Sequence, residues 1–275
     1  MAVLKVLFSF LSLAVLGGLL GVGLALAAKF FGVKKDERAE LVEKALPGAN
    51  CGACGYAGCA NYAEAIVKDN VPLDRCIPGG GKVAREVGRI MGKEVNASDE
   101  KLVAQVHCRG NKKTTATSFA YSGIRDCNAL HILYEGDKGC KYGCLGLGSC
   151  MKVCPVDAIH YDSSGCVWVD KEACISCRKC VDVCPTGVMK MIPYSGDYLV
   201  ACNSKDKGAV TKKYCSVGCI GCTLCVKKSP EGGFIVEENL ARIDYTALGE
   251  RTAASQSCPP KCIILNTTEV VKKDS

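Results

Sequence analysis

The most regular pattern in the chain is an apolar run near its N-terminus. Residues 6–28 carry no charged side chain and consist largely of Leu, Val, Ala and Gly. As a helix, this run would be about 35 Å long, which is enough to span a lipid bilayer. The pattern predicts one membrane-spanning helix, and we take residues 1–28 as the anchor.

Basic residues flank this run unequally. Lys5 precedes it, whereas basic residues follow it at positions 29, 34, 35 and 38. The positive-inside rule then predicts a single-pass protein of the cell (inner) membrane, with lipid around its helix and the bulk of the chain in the cytoplasm. A cleaved signal peptide is the alternative, because residues 25–27 resemble a cleavage site. The run is long for a signal, so we expect an uncleaved anchor.

Shorter helix and strand patterns follow the anchor. Residues 36–46 predict a short helix, and residues 102–106 and 165–169 predict strands. Residues 82–95 predict an amphipathic helix with a basic face. Such a face is usually only solvated; the alternative is a docking surface for an acidic partner. The basic residues of this face are Lys82, Arg85, Arg89 and Lys93.

Cysteine changes this picture. The chain has 22 cysteines among 275 residues, together with 30 glycines and few aromatic residues. Most of the cysteines stand in tight runs, which suit metal–thiolate ligation rather than disulfide bonds. We therefore expect bound metal clusters, more than a large apolar core, to hold the fold together.

Two cysteine runs that each end in Cys-Pro form the centre of the sequence. The second run, Cys174 to Pro185, has the x2-x2-x3 spacing of bacterial ferredoxins, which bind [4Fe–4S] clusters. The first run, Cys140 to Pro155, has looser x3-x5-x3 spacing. In two-cluster ferredoxins the fourth cysteine of each run ligates the other cluster. The predicted sets are Cys154, Cys174, Cys177 and Cys180 for one cluster, and Cys140, Cys144, Cys150 and Cys184 for the other.

A separate cysteine group lies nearer the anchor. Three cysteines stand close together among glycines, and a fourth follows shortly before Pro78. Glycines let the backbone approach a cluster and donate N–H groups to its sulfur atoms. A small helical module is therefore predicted to bind a [4Fe–4S] cluster through Cys51, Cys54, Cys59 and Cys76.

The segment from Cys202 onward repeats the ferredoxin unit at an offset of 74–75 residues. In this register the four ligands of one cluster are lost together; Ser229, for example, stands in place of Cys154, and Arg251 in place of Cys177. The second unit is therefore partly degenerate. The ligands predicted for its remaining cluster are Cys219, Cys222, Cys225 and Cys258.

Six cysteines fall outside these sets. Cys166 and Cys262 are expected to be packed thiols. The strict register would use Cys215 in place of Cys222, although the x2-x2 spacing favours Cys222. The alternative for the remaining four is a further cluster set, made of Cys108, Cys127, Cys202 and Cys215.

Other binding functions find less support. The formal charge of +7 counts every cysteine as neutral, and four clusters of about −2 each would bring it to about −1. The basic balance therefore indicates no nucleic-acid partner. A membrane-tethered structural zinc protein is the alternative of a different class, because zinc sites also use Cys-x2-Cys pairs. The x2-x2-x3 spacing before Cys-Pro favours iron–sulfur clusters, at least four of them.

The predicted fold class is α+β, with two tandem bacterial-ferredoxin-like domains after the anchor and the helical module. We expect an N-terminal [4Fe–4S] domain in residues 29–95 and a connecting segment in residues 96–136. The two-cluster ferredoxin-like domain is predicted for residues 137–193, the degenerate one for residues 198–265, and a tail for residues 266–275.

These parts, in this order, resemble one family. The apolar helix, residues 46–59 and the ferredoxin unit look like the B subunit of the Rnf complex, and residues 140–150 and 202–208 resemble its longer, clostridial-type form. The resemblance implies a membrane-bound ferredoxin:NAD oxidoreductase that couples electron flow to Na⁺ or H⁺ translocation. As its electron-transfer subunit, with no complete active site of its own, the chain would accept electrons from reduced ferredoxin. It would pass them to the other membrane and flavin-bearing subunits. A related complex that keeps a redox-sensing transcription factor reduced is the alternative.

Overall fold

The computed structural model describes residues 2–31, 36–96 and 100–266. Helix α1 runs from Ala2 to Phe31, and its segment Phe10–Ala27 is long and apolar enough to cross a membrane. Every α1 side chain whose exposure is described is exposed, so the helix does not bury its apolar surface in the body of the chain. The predicted apolar helix is confirmed. Lys34, Lys35 and the tail beyond residue 266 lie outside the described residues.

Three helices pack around a small apolar core to form the N-terminal module. Val42, Tyr62, Ile66 and Val87 in this core are at most 1% exposed. Tyr62 is buried without losing a hydrogen bond, because its hydroxyl donates to the Pro72 carbonyl at 2.8 Å. The helices are α2 (Glu37–Ala45), α3 (Cys59–Lys68) and α4 (Gly80–Met91).

Both predicted helices of this module are therefore confirmed, with one difference in length. The second was predicted to reach residue 95, but α4 ends at Met91. Gly92 follows with φ of 66°, in the left-handed region. That conformation ends helices and favours glycine, which has no Cβ.

Two antiparallel strand pairs and three short helices make the first ferredoxin-like unit. One pair joins the first and last strands of the unit, and the other pair forms a hairpin between them. Val103, Ile159, Val169 and Val188 belong to their shared apolar core. The elements are β1 (Leu102–Val106) with β4 (Met189–Pro193), β2 (Ile159–Tyr161) with β3 (Val167–Val169), and the helices α5 (Cys127–Ile132), α6 (Ser149–Lys152) and α7 (Lys179–Asp182).

Strand β1 lies in the segment that the sequence analysis treats as a connection. It pairs along its whole length with β4, with Leu102 opposite Pro193 and Val106 opposite Met189. The unit therefore begins at β1 rather than at the predicted residue 137. The strand itself is predictable from its residues, but its partner lies far along the chain and depends on the folded unit.

The second unit repeats this order of elements. Its core contains Val200, Phe234, Leu240 and Ala254. At its end, the side-chain amide of Asn266 donates to the Gly196 carbonyl at 2.8 Å. The elements are β5 (Tyr198–Val200) with β8 (Ile263–Leu265), β6 (Phe234–Glu237) with β7 (Leu240–Ile243), and the helices α8 (Gly208–Tyr214), α9 (Leu224–Lys228) and α10 (Thr252–Ser257). Helices and paired strands together make the α+β fold that was predicted.

Candidate metal centres

Four cavities in the two ferredoxin-like units are lined by groups of cysteines. Their volumes are similar, about 370, 370, 330 and 320 Å³, which indicates that they suit the same kind of occupant. We number them sites 2 to 5 and reserve site 1 for the N-terminal module. Their cysteines are Cys154, Cys174, Cys177 and Cys180 (site 2); Cys127, Cys144, Cys150 and Cys184 (site 3); Cys108, Cys140, Cys202 and Cys215 (site 4); and Cys219, Cys222, Cys225, Cys258 and Cys262 (site 5).

Site 2 brings together the four cysteines that the ferredoxin spacing predicts. Cys174 and Cys177 precede α7, Cys180 lies within it, and Cys154 follows α6. The N–H group of Ala158 donates to the Cys154 sulfur at 3.3 Å. One short loop carries three of the four sulfurs, so local sequence is enough to predict this set.

Site 3 differs from the predicted set in one cysteine. Cys144, Cys150 and Cys184 line it as predicted, but Cys127 takes the place of Cys140. This corrects the assignment of Cys140. Cys140 and Cys144 are separated by only three residues, and this spacing suggests that they bind the same cluster. In the structure, however, Cys140 lines site 4 and Cys144 lines site 3.

A hydrogen-bond network fixes Cys127 beside site 3. Asp126 caps α5 by accepting the N–H of Ala129 at 3.0 Å, and its other oxygen accepts the Ser149 hydroxyl at 2.8 Å. The Ser149 oxygen in turn accepts the N–H of Cys127 at 2.7 Å. Because Ser149 directly precedes Cys150, this network joins the first turn of α5 to the loop that carries the other cysteines.

Cys140 lines site 4 instead. Its companions Cys108, Cys202 and Cys215 are three of the four cysteines of the alternative further set. The fourth, Cys127, lies in site 3. The alternative set therefore had one wrong member, and Cys215 does not replace Cys222 in site 5.

Site 5 brings together the set predicted for the second unit and one additional thiol. Cys262 is 2% exposed, and its sulfur lies 3.6 Å from the Cys258 sulfur. Hydrogen bonding from the Cys262 thiol lowers the pKa of both Cys219 and Cys258 to about 6. In site 3 the matching position is Val188, an apolar wall residue. Cys262 is thus a buried thiol in the wall, beside sulfurs that ionise readily.

Site 1 joins the cysteine group of the N-terminal module. The pKa of Cys76 is raised to about 11, first by burial and further by the neighbouring thiols of Cys51, Cys54 and Cys59, which therefore lie close to it. The side-chain oxygen of Asn50 accepts the N–H of Cys59 at 2.8 Å, where α3 begins. The structure thus brings the four predicted cysteines of the module together.

The arrangement of the sulfurs around cavities favours a cluster over a single zinc ion. Tetrahedral zinc needs its thiolate sulfurs about 3.8 Å apart, around one point. Among the described residues, no group of three or more His, Cys, Asp or Glu side chains is placed to hold a single metal ion. The cysteines instead stand around cavities. Four cysteines around a cavity fit a [4Fe–4S] cluster, which would bind one thiolate at each iron.

The lost cluster position of the second unit is filled by protein. Arg251, at the position of Cys177, is 6% exposed. Its guanidinium donates to the carbonyls of Gly232 and Ala247, each at 2.7 Å, and to the Asp197 carboxylate at 2.8 Å. Nearby, the Ser229 oxygen, at the position of Cys154, accepts the N–H of Ala254 at 3.2 Å. A buried cation thus satisfies backbone carbonyls in the part of the unit from which the cluster ligands were lost.

We expect Arg251→Ala to destabilise the second unit by about 3 kcal/mol, because buried carbonyls would lose a charged donor. The apparent melting temperature should fall by about 5–10 °C, as followed by circular dichroism. Arg242→Ala, on the exposed side of β7, is the matched control and should change stability by less than about 0.5 kcal/mol. Equal effects of the two substitutions would contradict this role for Arg251.

Sequence profiles of two known families match parts of these sites. A profile for an Fe-S cluster family matches residues 46–78, which include all four cysteines of site 1. A profile for a 4Fe-4S binding domain matches residues 167–190, which carry cysteines of sites 2 and 3. Both matches support iron–sulfur clusters as the occupants.

Several curated proteins are similar to this chain over most of its length. It is 43% identical to the B subunit of the Na(+)-translocating ferredoxin:NAD(+) oxidoreductase complex of Acetobacterium woodii, over 91% of this chain and 75% of that protein. It is 42% identical to the B subunit of the ion-translocating oxidoreductase complex of Methanosarcina acetivorans, over 92% of this chain and 97% of that protein. It is 40% identical to the B subunit of the proton-translocating ferredoxin:NAD(+) oxidoreductase complex of Clostridium ljungdahlii, over 91% and 87%.

Proposed function

Because the chain belongs to the family of B subunits of the Rnf ion-translocating ferredoxin:NAD oxidoreductase complexes, we propose that it accepts electrons from reduced ferredoxin. It is an iron–sulfur component of an oxidoreductase complex, with 4Fe-4S binding sequences. In this proposal its cysteines hold a row of clusters that carries electrons to the other membrane and flavin-bearing subunits. The NAD-dependent chemistry lies on those subunits.

The observation that carries this proposal is the closeness of successive sites. Burial is the main reason for the raised pKa of Cys177 in site 2, and the thiol of Cys51 in site 1 adds to the rise. Burial likewise raises the pKa of Cys180 in site 2 to about 12, with Cys150 of site 3 contributing. Charges affect each other's pKa mainly over short distances. Clusters held in sites 1, 2 and 3 would therefore be neighbours, as electron transfer requires.

Site 5 is the best candidate for electron uptake. All 22 cysteines lie in the described part of the chain, and Cys222 is the only one among them that is exposed. Lys227 and Lys228 in α9, and Lys261 beside Cys262, are exposed near this site in the sequence. Basic residues around an accessible cluster suit an acidic electron-carrier protein, because opposite charges speed the encounter. We propose that reduced ferredoxin docks here.

We expect reduced ferredoxin to bleach the visible cluster absorbance of the full chain in detergent, without NAD, in stopped-flow mixing. Reversing the three lysines (K227E/K228E/K261E) should slow this reaction at least about tenfold at low salt. The difference should shrink as ionic strength rises, because salt screens the attraction. No bleaching at any ionic strength would contradict ferredoxin as the donor.

The matched control reverses three basic residues of α4, the other surface that the sequence suggests for docking. K82E/R85E/R89E changes the net charge by the same amount, and all three residues are exposed. The rate should then stay near that of the unmodified chain. If this variant is the slower one, ferredoxin docks on the N-terminal module, and uptake at site 5 is wrong.

Helix α1 is the proposed membrane anchor. Its segment Phe10–Ala27 has a mean hydropathy of 2.3, and site 1 is the cluster site nearest to it in the sequence. Uptake at site 5 and delivery from site 1 would therefore carry electrons towards the membrane. The proposed orientation leaves the cluster-bearing part of the chain in the cytoplasm, where ferredoxin is available.

Deleting residues 1–28 should give a protein that stays in the supernatant after ultracentrifugation and keeps its iron, because every cysteine lies beyond residue 50. Iron per chain should equal that of the full chain in detergent, the control. A truncated chain that sediments, or that holds no iron, would contradict an anchor separate from the cluster domains.

A further inference from the structure

We propose that site 4 binds a fifth [4Fe–4S] cluster and that this cluster links the two ferredoxin-like units. Cluster binding is argued from the residues of the cavity alone, whereas the role as a link rests on the proposed function. The ligands come from four separate segments, two in each unit. They are Cys108, Cys140, Cys202 and Cys215.

Two of these cysteines are equivalent residues of the two units. Cys108 and Cys202 each follow the first strand of their unit, β1 or β5, by two residues. Each sulfur accepts the backbone N–H of the residue two positions later, from Gly110 at 3.4 Å and from Ser204 at 3.5 Å. The same local turn thus presents one sulfur from each unit to the cavity.

The other two cysteines are also equivalent. Cys215 matches Cys140 in the 75-residue register, and each is followed three residues later by a glycine that lines the cavity. A Cβ on Gly143 would lie 3.6 Å from the Cys140 sulfur, and one on Gly218 would lie 3.5 Å from the Cys215 sulfur. Both glycines therefore leave room beside a ligand. The cavity is built from two matching halves, one from each unit.

The hydrogen bonds of these sulfurs suit thiolates. The Cys108 sulfur accepts a second N–H, from Cys144 at 3.3 Å, and the Cys215 sulfur accepts the Thr115 hydroxyl at 3.7 Å. Only deprotonated cysteine ligates iron, and N–H donors to its sulfur stabilise that form. Cys166 behaves in the opposite way, since its sulfur donates to the Arg109 carbonyl at 3.3 Å as a thiol does.

A cation lies beside the cavity. Lys138 lines site 4, and its ammonium donates to the carbonyls of Gly110 and Cys144 at 2.9 and 2.6 Å. Four thiolates would give a [4Fe–4S] cluster a net charge of about −2. The Lys138 ammonium would offset part of this negative charge. Beside an empty apolar cavity, the same ammonium would lie in an unfavourable environment.

Site 4 also touches the sites on either side of it. The N–H of Cys144, a site 3 cysteine, donates to the Cys108 sulfur at 3.3 Å. On the other side, Gly218, which lines site 4, directly precedes Cys219, a cysteine of site 5. One electron at a time, supplied by reduced ferredoxin, would pass from site 5 to site 4 and on to site 3. Each cluster gains and then loses the electron, and no bond forms or breaks. Site 4 would thus connect the uptake site to the first unit.

The test counts clusters in the full chain in detergent, by iron, acid-labile sulfide and zinc analysis and by native mass spectrometry. The unmodified chain should hold about 20 irons, four for each of five clusters. Cys108→Ala and Cys202→Ala should each hold about 16, and the double variant also about 16, because both cysteines serve one cluster. Cys166→Ala is the matched control for loss of a buried thiol and should keep about 20 irons.

About 16 irons in the unmodified chain, or one zinc beside about 16 irons, would overturn the site even if a variant failed to fold. So would about 12 irons in the double variant. In Cys202→Ala, ferredoxin should reduce only the site 5 cluster, while dithionite reduces all of them, as seen by electron paramagnetic resonance. Passage of electrons to sites 1 to 3 would overturn the link. If ferredoxin reduces no cluster in the unmodified chain, the proposed function fails but the cluster site stands.

Discussion

Replacing Cys258 and Cys262 together (Cys258→Ala with Cys262→Val) is expected to abolish the reduction of every remaining cluster by ferredoxin. The variant should lose four irons, the content of one cluster. Of the four ligands predicted for site 5, Cys258 is the one that lies outside the loop carrying Cys219, Cys222 and Cys225. Without it the cluster lacks a fourth thiolate, and the proposed uptake point disappears.

Both cysteines are replaced because Cys262 is placed to substitute for its neighbour. Its sulfur lies 3.6 Å from that of Cys258. Its thiol also hydrogen-bonds with the side chain of Cys219. In Cys258→Ala alone, a small backbone shift would let Cys262 take the empty coordination position. The double variant removes this rescue, and iron analysis with stopped-flow mixing measures both effects.

Cys262→Val alone is the matched control, because valine stands at the same position in the first unit, as Val188. It should keep all its iron and its rate of reduction by ferredoxin. Loss of four irons in this control would make Cys262 the ligand and Cys258 the wall residue. Dithionite should still reduce the remaining clusters of the double variant. Their rapid reduction by ferredoxin would mean that uptake does not occur at site 5.

The sequence predicts a cysteine set well when one loop carries most of it. Cys174, Cys177 and Cys180 are separated by two residues each, and the structure groups them with Cys154 in site 2. The same holds for site 5, where Cys219, Cys222 and Cys225 share one loop. In such loops the spacing along the chain determines which sulfurs face one cavity.

Site 3 shows where this reasoning stops. In the second unit Cys222 stands between the outer cysteines of its loop, but the matching position in the first unit is Leu147. The five residues between Cys144 and Cys150 thus include no cysteine, so the loop lacks one ligand for site 3. The spacing does not show which cysteine replaces it. Cys127 supplies it from α5, and only the folded contact through Ser149 brings the two segments together.

What replaces the lost cluster of the second unit can likewise be predicted only in part from the sequence. The register shows that Ser229 and Arg251 stand in place of ligands, so the loss can be predicted from the sequence. It does not show that the Arg251 guanidinium would reach the carbonyls of Gly232 and Ala247. An arginine in a cysteine position is most simply expected on the surface, since a buried charge is costly unless it is paired. The surrounding carbonyls and Asp197 make burial favourable here.

The exchange of Cys127 and Cys140 between two sites gives the second large prediction. Cys127→Ala and Cys140→Ala should each lose four irons, and the double variant should lose about eight, because the two cysteines serve different clusters. The grouping based on spacing predicts otherwise: no loss for Cys127→Ala and only four irons lost from the double variant. Iron and sulfide analysis separates the two groupings without any activity measurement.

Cys127→Ala and Cys140→Ala should also differ in which clusters ferredoxin can reduce, and this difference tests the order in which electrons pass through the sites. In Cys140→Ala, ferredoxin should reduce the site 5 cluster alone, because site 4 is lost. In Cys127→Ala, the clusters of sites 4 and 5 should both be reduced, while those of sites 1 and 2 stay oxidised. Cys166→Ala controls for removal of a cysteine that serves no cluster. Reduction of sites 1 and 2 in Cys127→Ala would mean that electrons bypass site 3. The row of neighbouring sulfurs, from Cys202 through Cys108 to Cys150, would then not be the path that electrons follow.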